Sequence, residues 1–134
     1  MKVDLKNRIA LVTGASRGIG CSISLALARC GAHVVLSART LSALQEVEKE
    51  IREGGGKVTA IPVDTSKAED VIALFKKIQQ IFGKLDITVN NAGSGYFTDL
   101  VDFPIDKFDQ IIQVNLRGTF LCCQESMKIM IPAR

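Results

Sequence analysis

Along this chain, short apolar runs alternate with longer segments whose apolar residues return every three or four positions. The short runs are Arg8–Thr13, His33–Ser37, Lys57–Val63 and Asp86–Asn90. They are nearly continuously apolar, as parallel strands covered on both faces must be. The longer segments predict helices over residues 18–30, 40–53, 66–82 and about 104–131. In the first, Ile19, Ile23, Leu25, Leu27 and Ala28 predict a broad buried face. In the second the stripe is Leu41, Leu44, Val47 and Ile51; in the third it is Val71, Leu74, Phe75, Ile78 and Phe82. Gly31 and Gly83 stand just past the first and third helices, where a left-handed residue commonly ends a helix. Residues 54–56 (three glycines) and 91–103 read as loops. The order β-α-β-α-β-α-β-loop-α predicts an α/β doubly wound parallel sheet with right-handed crossovers, in three α/β/α layers.

Length and charge narrow the picture. The 134 residues suit one domain, residues 1–134, able to bury a core. A net charge of +3, from 17 basic and 14 acidic residues with no basic cluster, argues against a nucleic-acid partner. No run approaches the ~18 apolar residues of a membrane span, and residues 1–8 do not read as a signal peptide. Cys21, Cys30, Cys122 and Cys123 form no C-x-x-C pair, and His33 is the only histidine, so no metal site is expected. Reduced thiols of this kind suit a cytoplasmic protein.

The chemistry concentrates after the first strand. Thr13-Gly14-Ala15-Ser16-Arg17-Gly18-Ile19-Gly20 runs directly from strand into helix. Glycines there permit a tight turn, close approach of backbone to a pyrophosphate, and close helix packing, while the helix N-terminus attracts phosphate. The spacing is Gly-x-x-x-Gly-x-Gly rather than Gly-x-Gly-x-x-Gly. In this form the loop resembles the cofactor loop of the short-chain dehydrogenase/reductase family, including its 3-oxoacyl-carrier-protein reductase-like members. Asn90-Asn91-Ala92-Gly93 after the fourth strand, Asp64 after the third, and Val114-Asn115-Leu116 in the last helix match that family's pattern in the same order. The resemblance runs from about Lys6 onward and implies a Rossmann-type fold.

A carboxylate about 20 residues past the glycines would favour NAD. None lies between Gly20 and Glu46, and the second strand ends Ser37-Ala38-Arg39-Thr40. A guanidinium at Arg39, joined by Arg17, can pair with the 2′-phosphate of NADP, with Ser37 and Thr40 adding neutral hydrogen bonds. The expected cofactor is therefore NADP rather than NAD, unless Arg39 is only a solvated loop charge. The resemblance further implies that Asp64 and Thr65 border the adenine and that Asn91, Ala92 and Gly93 line the cofactor cleft. Asp64, followed by Thr65-Ser66, reads equally as a helix cap.

By the same resemblance, hydride passes between the nicotinamide and a small carbonyl or alcohol substrate. A Tyr-x-x-x-Lys pair, a Ser and an Asn serve the reaction. Asn115 matches the Asn as the catalytic candidate, with a structural mid-helix hydrogen bond as the alternative. The only tyrosine is Tyr96, and Leu100 stands four residues on, so no Tyr-x-x-x-Lys pair is present. The pattern stops after the helix that follows the fourth strand. Two readings follow: the N-terminal portion of an NADP-dependent oxidoreductase, inactive by itself, or a non-catalytic dinucleotide-binding fragment. The fourth strand would be a sheet edge. The last helix, apolar on much of its surface from Phe108 to Met130, implies homo-oligomers.

Overall fold

The computed structural model describes residues 3–133; Met1, Lys2 and Arg134, which close the expected domain, lie outside the described residues. Four parallel strands, β1 (Ile9–Thr13), β2 (His33–Ala38), β3 (Lys57–Pro62) and β4 (Ile87–Val89), form one sheet in the order β3-β2-β1-β4. Helices α1 (Gly18–Arg29), α2 (Leu41–Glu53) and α3 (Ala68–Phe82) follow the first three strands. After β4 come a 3-10 turn (Leu100–Asp102), α4 (Ile105–Ile112), a π turn (Gln113–Gly118) and α5 (Thr119–Met130).

Alternation along β1 builds both halves of the core. Ile9 and Leu11 face Val71, Leu74, Phe75, Ile78 and Cys122, the inner faces of α3 and α5. Ala10 and Val12 face Leu44, Val47 and Ile51 of α2. Successive side chains of a strand point to opposite faces, so a fully apolar strand needs a helical layer on each side. The three-layer doubly wound architecture predicted from the alternation is the one observed.

Several local expectations are corrected. Ile19 does not belong to a buried helix face; it is 73% exposed, whereas Ile23, Leu25, Leu27 and Ala28 pack partly buried against the core around the buried Gly20 and Ser24, the Ser24 hydroxyl bonding the Gly20 carbonyl at 2.7 Å. Leu41, placed on the buried stripe of α2, is exposed. β4 has three residues rather than five. Just before it, Asp86 donates its N–H to the Ile9 carbonyl at 2.9 Å, while its carboxylate accepts the Ile9 N–H at 2.8 Å and the Arg8 guanidinium at 3.0 Å. That exchange keeps the carboxylate below its ordinary range against the cost of its desolvation. The third helix starts at Ala68, not residue 66. Asp64 accepts Ser66 N–H at 3.0 Å and Ser66 O–H at 2.7 Å, closing an Asx-type turn before the helix, so it does not cap α3. The single long helix expected over 104–131 is helical throughout Ile105–Met130 but is widened at its centre by the π turn.

Candidate functional site

All four strands point their carboxyl ends at one cleft of about 830 Å³. It opens where open α/β sheets bind ligands, outside the C-terminal strand ends where the strand order reverses. Thirteen of the fifteen candidate binding and catalytic residues read from the sequence line it: Gly14, Ser16, Arg17, Gly18 and Ile19 after β1; Ser37, Arg39 and Thr40 at the end of β2; Asp64 and Thr65 after β3; Asn91, Ala92 and Gly93 after β4. Gly20 and Asn115 do not line it.

The β1–α1 turn is built to leave donors free. Gly18 sits at φ +57°, a left-handed conformation that costs a side-chain-bearing residue about 1–2 kcal/mol. The extended Arg17 precedes α1, and neither a side chain caps this helix nor an acid occupies its first turn. The first backbone bond recorded there runs from Cys21 N–H to the Arg17 carbonyl at 3.3 Å. The residues ahead of it, Ser16 to Ile19, line the cleft, where the helix dipole adds positive potential. Gly20 serves packing instead: a Cβ there would stand 2.3 Å from the Gly14 carbonyl oxygen and 2.5 Å from Asn91 Nδ2.

Thr13 is the hub that sequence reasoning missed as a separate residue. Its buried hydroxyl accepts the N–H groups of Asn91 at 3.1 Å and Ala92 at 3.0 Å and donates to the Val89 carbonyl at 3.4 Å. Asn91 answers by donating Nδ2 to the carbonyls of Thr13 and Gly14, both at 3.1 Å. The Asn91 side chain therefore clamps the glycine loop to the β4 end, and the glycine turn and the Asn-Asn-Ala-Gly turn form one rigid floor.

At the end of β2, Ser37 is 1% exposed and its hydroxyl has no partner among the described residues, although it lines the cleft. A buried hydroxyl without a partner costs about 1–3 kcal/mol, which a ligand can relieve. Arg39 beside it is exposed and its charge reaches Asp64. The Ser66 hydroxyl chiefly, then its N–H, Lys67 and Arg39, hold Asp64 below the usual carboxylate range against desolvation. Of the charged residues lining the cleft, three are basic (Arg17, Arg39, Lys107) and one, Asp64, is acidic.

Asn115 lies in the π turn and is committed on both sides. Its Oδ1 accepts Ser94 N–H at 2.7 Å and its Nδ2 donates to the Ser94 carbonyl at 2.9 Å. The same turn is clasped to the other wall. Gly118 approaches so closely that a Cβ would lie 2.7 Å from the Thr65 carbonyl oxygen, and Arg117 donates to the Ser66 carbonyl at 3.3 Å. One wide helical turn thus ties the 64–66 turn to the 93–95 loop. Tyr96 packs edge-on against Phe103, with ring centroids 5.7 Å apart.

The arrangement suits a dinucleotide on its own geometry: an uncapped helix start, an orphaned hydroxyl, and flanking guanidinium groups around a large cleft. Comparison with known proteins agrees. The short chain dehydrogenase family model matches residues 8–134. The chain is 39% identical over 127 residues to an uncharacterized oxidoreductase of Staphylococcus aureus (strain MRSA252), covering 95% of this chain and 54% of that protein. It superposes with a TM-score of 0.94 on a short-chain type dehydrogenase/reductase from Mycobacterium marinum, 37% identical, over 97% of this chain and 53% of that one. A metagenomic short-chain oxidoreductase solved in complex with NADP gives a TM-score of 0.93 at 38% identity, over 96% and 59%. The chain spans about half the length of the relatives it matches. With the family model matching residues 8–134 and these relatives covering nearly the whole chain at 37–39% identity, the chain belongs to the short-chain dehydrogenase/reductase family.

Proposed function

We propose that residues 1–134 form the NADP-binding domain of an oxidoreductase acting between a carbonyl and an alcohol. The observation that carries this reading is the pairing of an uncapped α1 start with a β2 end that offers Ser37 and Arg39 and no carboxylate. A bound nicotinamide cofactor supplies or accepts the hydride; the protein supplies position and proton control. The backbone N–H groups from Ser16 to Gly20 face the pyrophosphate. Ile19 covers it from the helix start. Arg39, Arg17 and the Ser37 hydroxyl take the 2′-phosphate. Asp64 and Thr65 border the adenine, and Asn91, Ala92 and Gly93 form the floor. The complex of the metagenomic relative with NADP supports this choice over NAD.

Asn115 acts as a positioning residue, holding the 93–95 loop through Ser94. The chain contains no Tyr-x-x-x-Lys pair, which favours a second reading: by itself it binds dinucleotide and turns nothing over. NADPH oxidation by this chain with a ketone would overturn that. The chain's four free thiols suit the cytoplasm, and the apolar outer face of α4 and α5 pairs it with a second copy.

Calorimetric titration tests the cofactor reading. NADPH should bind tighter than NADH. Arg39→Ala should weaken NADPH about tenfold or more, the size of a lost charge-assisted bond, with NADH changed less than about twofold. Tighter binding of NADH by the unaltered chain would sink the assignment.

A further inference from the structure

Beyond the proposed cofactor site, the cleft continues past Gly93 along a wall that the dinucleotide reading does not use. That wall is formed by Ser94, Gly95 and Tyr96 on one side and by Lys107, Gln110 and Ile111 of α4 on the other. Lys107 is half-buried, with its ammonium 5.9 Å from the centre of the Tyr96 ring. Among the described residues it makes no ion pair: the recorded bridges are elsewhere, at Arg8, Lys49, Arg52, Lys84 and Lys128. The acids nearest in sequence, Asp106 and Asp109, are exposed and do not line the cleft. Ser94 adds an independent sign of a missing ligand. Its hydroxyl oxygen is out of contact with solvent and has no partner among the described residues, while its backbone N–H and carbonyl are both taken by Asn115.

We propose that this wall selects a carbonyl or alcohol substrate that carries an acidic group, with Lys107 as the specificity-determining residue. The inference rests on the oxidoreductase reading for the reacting carbonyl, but its charge argument stands on this wall alone. An ammonium over an aromatic face keeps its position without a carboxylate neighbour, because the ring's negative face partly compensates the charge. Its donors therefore stay available to an incoming anion. A neutral substrate would leave a half-buried cation and a buried hydroxyl both unmatched. An anionic one pairs with the first, and its polar groups reach the second. The chemistry named here is a carboxylate or a phosphate attached to a carbonyl compound.

Equilibrium titrations on the intact chain test this without requiring turnover. The probes are 3-oxohexanoate against its methyl ester, and dihydroxyacetone phosphate against dihydroxyacetone. The acid of the favoured pair should bind about five- to tenfold tighter than its neutral partner, as a partly screened charge contact allows. The pair that discriminates identifies carboxylate or phosphate as the recognised group. Lys107→Gln should abolish the preference, and Lys107→Glu should invert it. Equal binding of acid and neutral probe in both pairs, binding of none of the probes, or a preference that survives Lys107→Gln, would overturn the proposal. NADPH titration of the same unaltered samples separates the two readings. If NADPH binds and no acid preference appears, only the substrate inference falls. If NADPH fails to bind while the Lys107-dependent preference persists, the cofactor reading falls and the charge selection stands.

Discussion

Thr13 shows what one hydroxyl can hold together. It takes two N–H groups from the β4 turn, so Thr13→Val would leave two part-buried donors unmatched. That substitution should cost about 2–4 kcal/mol in urea unfolding, while Thr13→Ser, which keeps the oxygen, should recover most of it. Equal losses in the two variants would show that the methyl's packing, not the hydroxyl, matters. Gly20→Ala tests a different term. Its Cβ would meet the Gly14 carbonyl and the Asn91 amide that is bonded to the same carbonyl, so overpacking of about 1–3 kcal/mol or more is expected in the same measurement. The sequence announced Gly14, Gly18, Gly20 and Asn91 through their spacing. It did not announce Thr13 as the link between two turns 78 residues apart, because a threonine at a strand end is ordinary and its partners are set by tertiary contact. Cys122 is another residue whose character is tertiary: burial, then the neighbouring Cys123, pushes its thiol up to about 11.

At the scale of elements, hydrophobic period was enough to read four strands, three crossover helices and the final helical stretch. It could not show where side-chain chemistry interrupts a backbone pattern. The Asp86 carboxylate takes the Ile9 N–H beside the start of β4, the Asp64–Ser66 turn precedes α3, and contacts to Thr65 and Ser94 accompany the π turn around Asn115. All three are polar interactions between segments distant in sequence or within a turn, invisible to a 3.6-residue count. β2 offers a pH test. At its first residue, His33 shares a 2.9 Å hydrogen bond with Thr59 of β3 and packs against Phe82. Burial first, then Lys57 and Arg52, lower its pKa below 6.5. The unfolded chain therefore binds the proton more readily, and stability contributed by neutral His33 is lost as pH falls below the unfolded value. Thermal midpoints should drop from about pH 7 to about pH 5, and His33→Gln should flatten that limb. Asp64 and Asp86 act in a separate window. Their folded-state pKa values are depressed, so their contribution is present above the ordinary carboxylate range and lost in more acidic solution. An unchanged limb in His33→Gln would assign the effect elsewhere.

For the molecule as a whole, the sheet is covered on both faces, and many of the exposed large apolar side chains fall in the last helical stretch. The apolar residues of the last helical stretch, read from sequence as a single surface, divide in the structure. Leu121, Ile129 and Met130 pack against the core, while Phe108, Ile112, Leu116, Phe120, Met127 and Ile131 stay exposed. From Phe108 to Phe120 the exposed set recurs every four residues, which on a helix makes a stripe rather than scattered points. Monomeric proteins rarely leave so continuous an apolar surface in water. Among the described residues β4 pairs with β1 alone, and its other edge supplies a second route to association. The two routes are separable. Phe120 is 62% exposed, so Phe120→Glu should leave folding nearly unchanged while placing a charge in the middle of the stripe. Sedimentation velocity at about 100 μM, above the micromolar range typical of modest apolar contacts, should show a dimer or larger species for the unaltered chain and a monomer for Phe120→Glu. A monomeric unaltered chain would refute self-association. Association that persists in Phe120→Glu would refute the helix stripe as its cause and move the contact to the β4 edge, where backbone pairing is indifferent to that side chain.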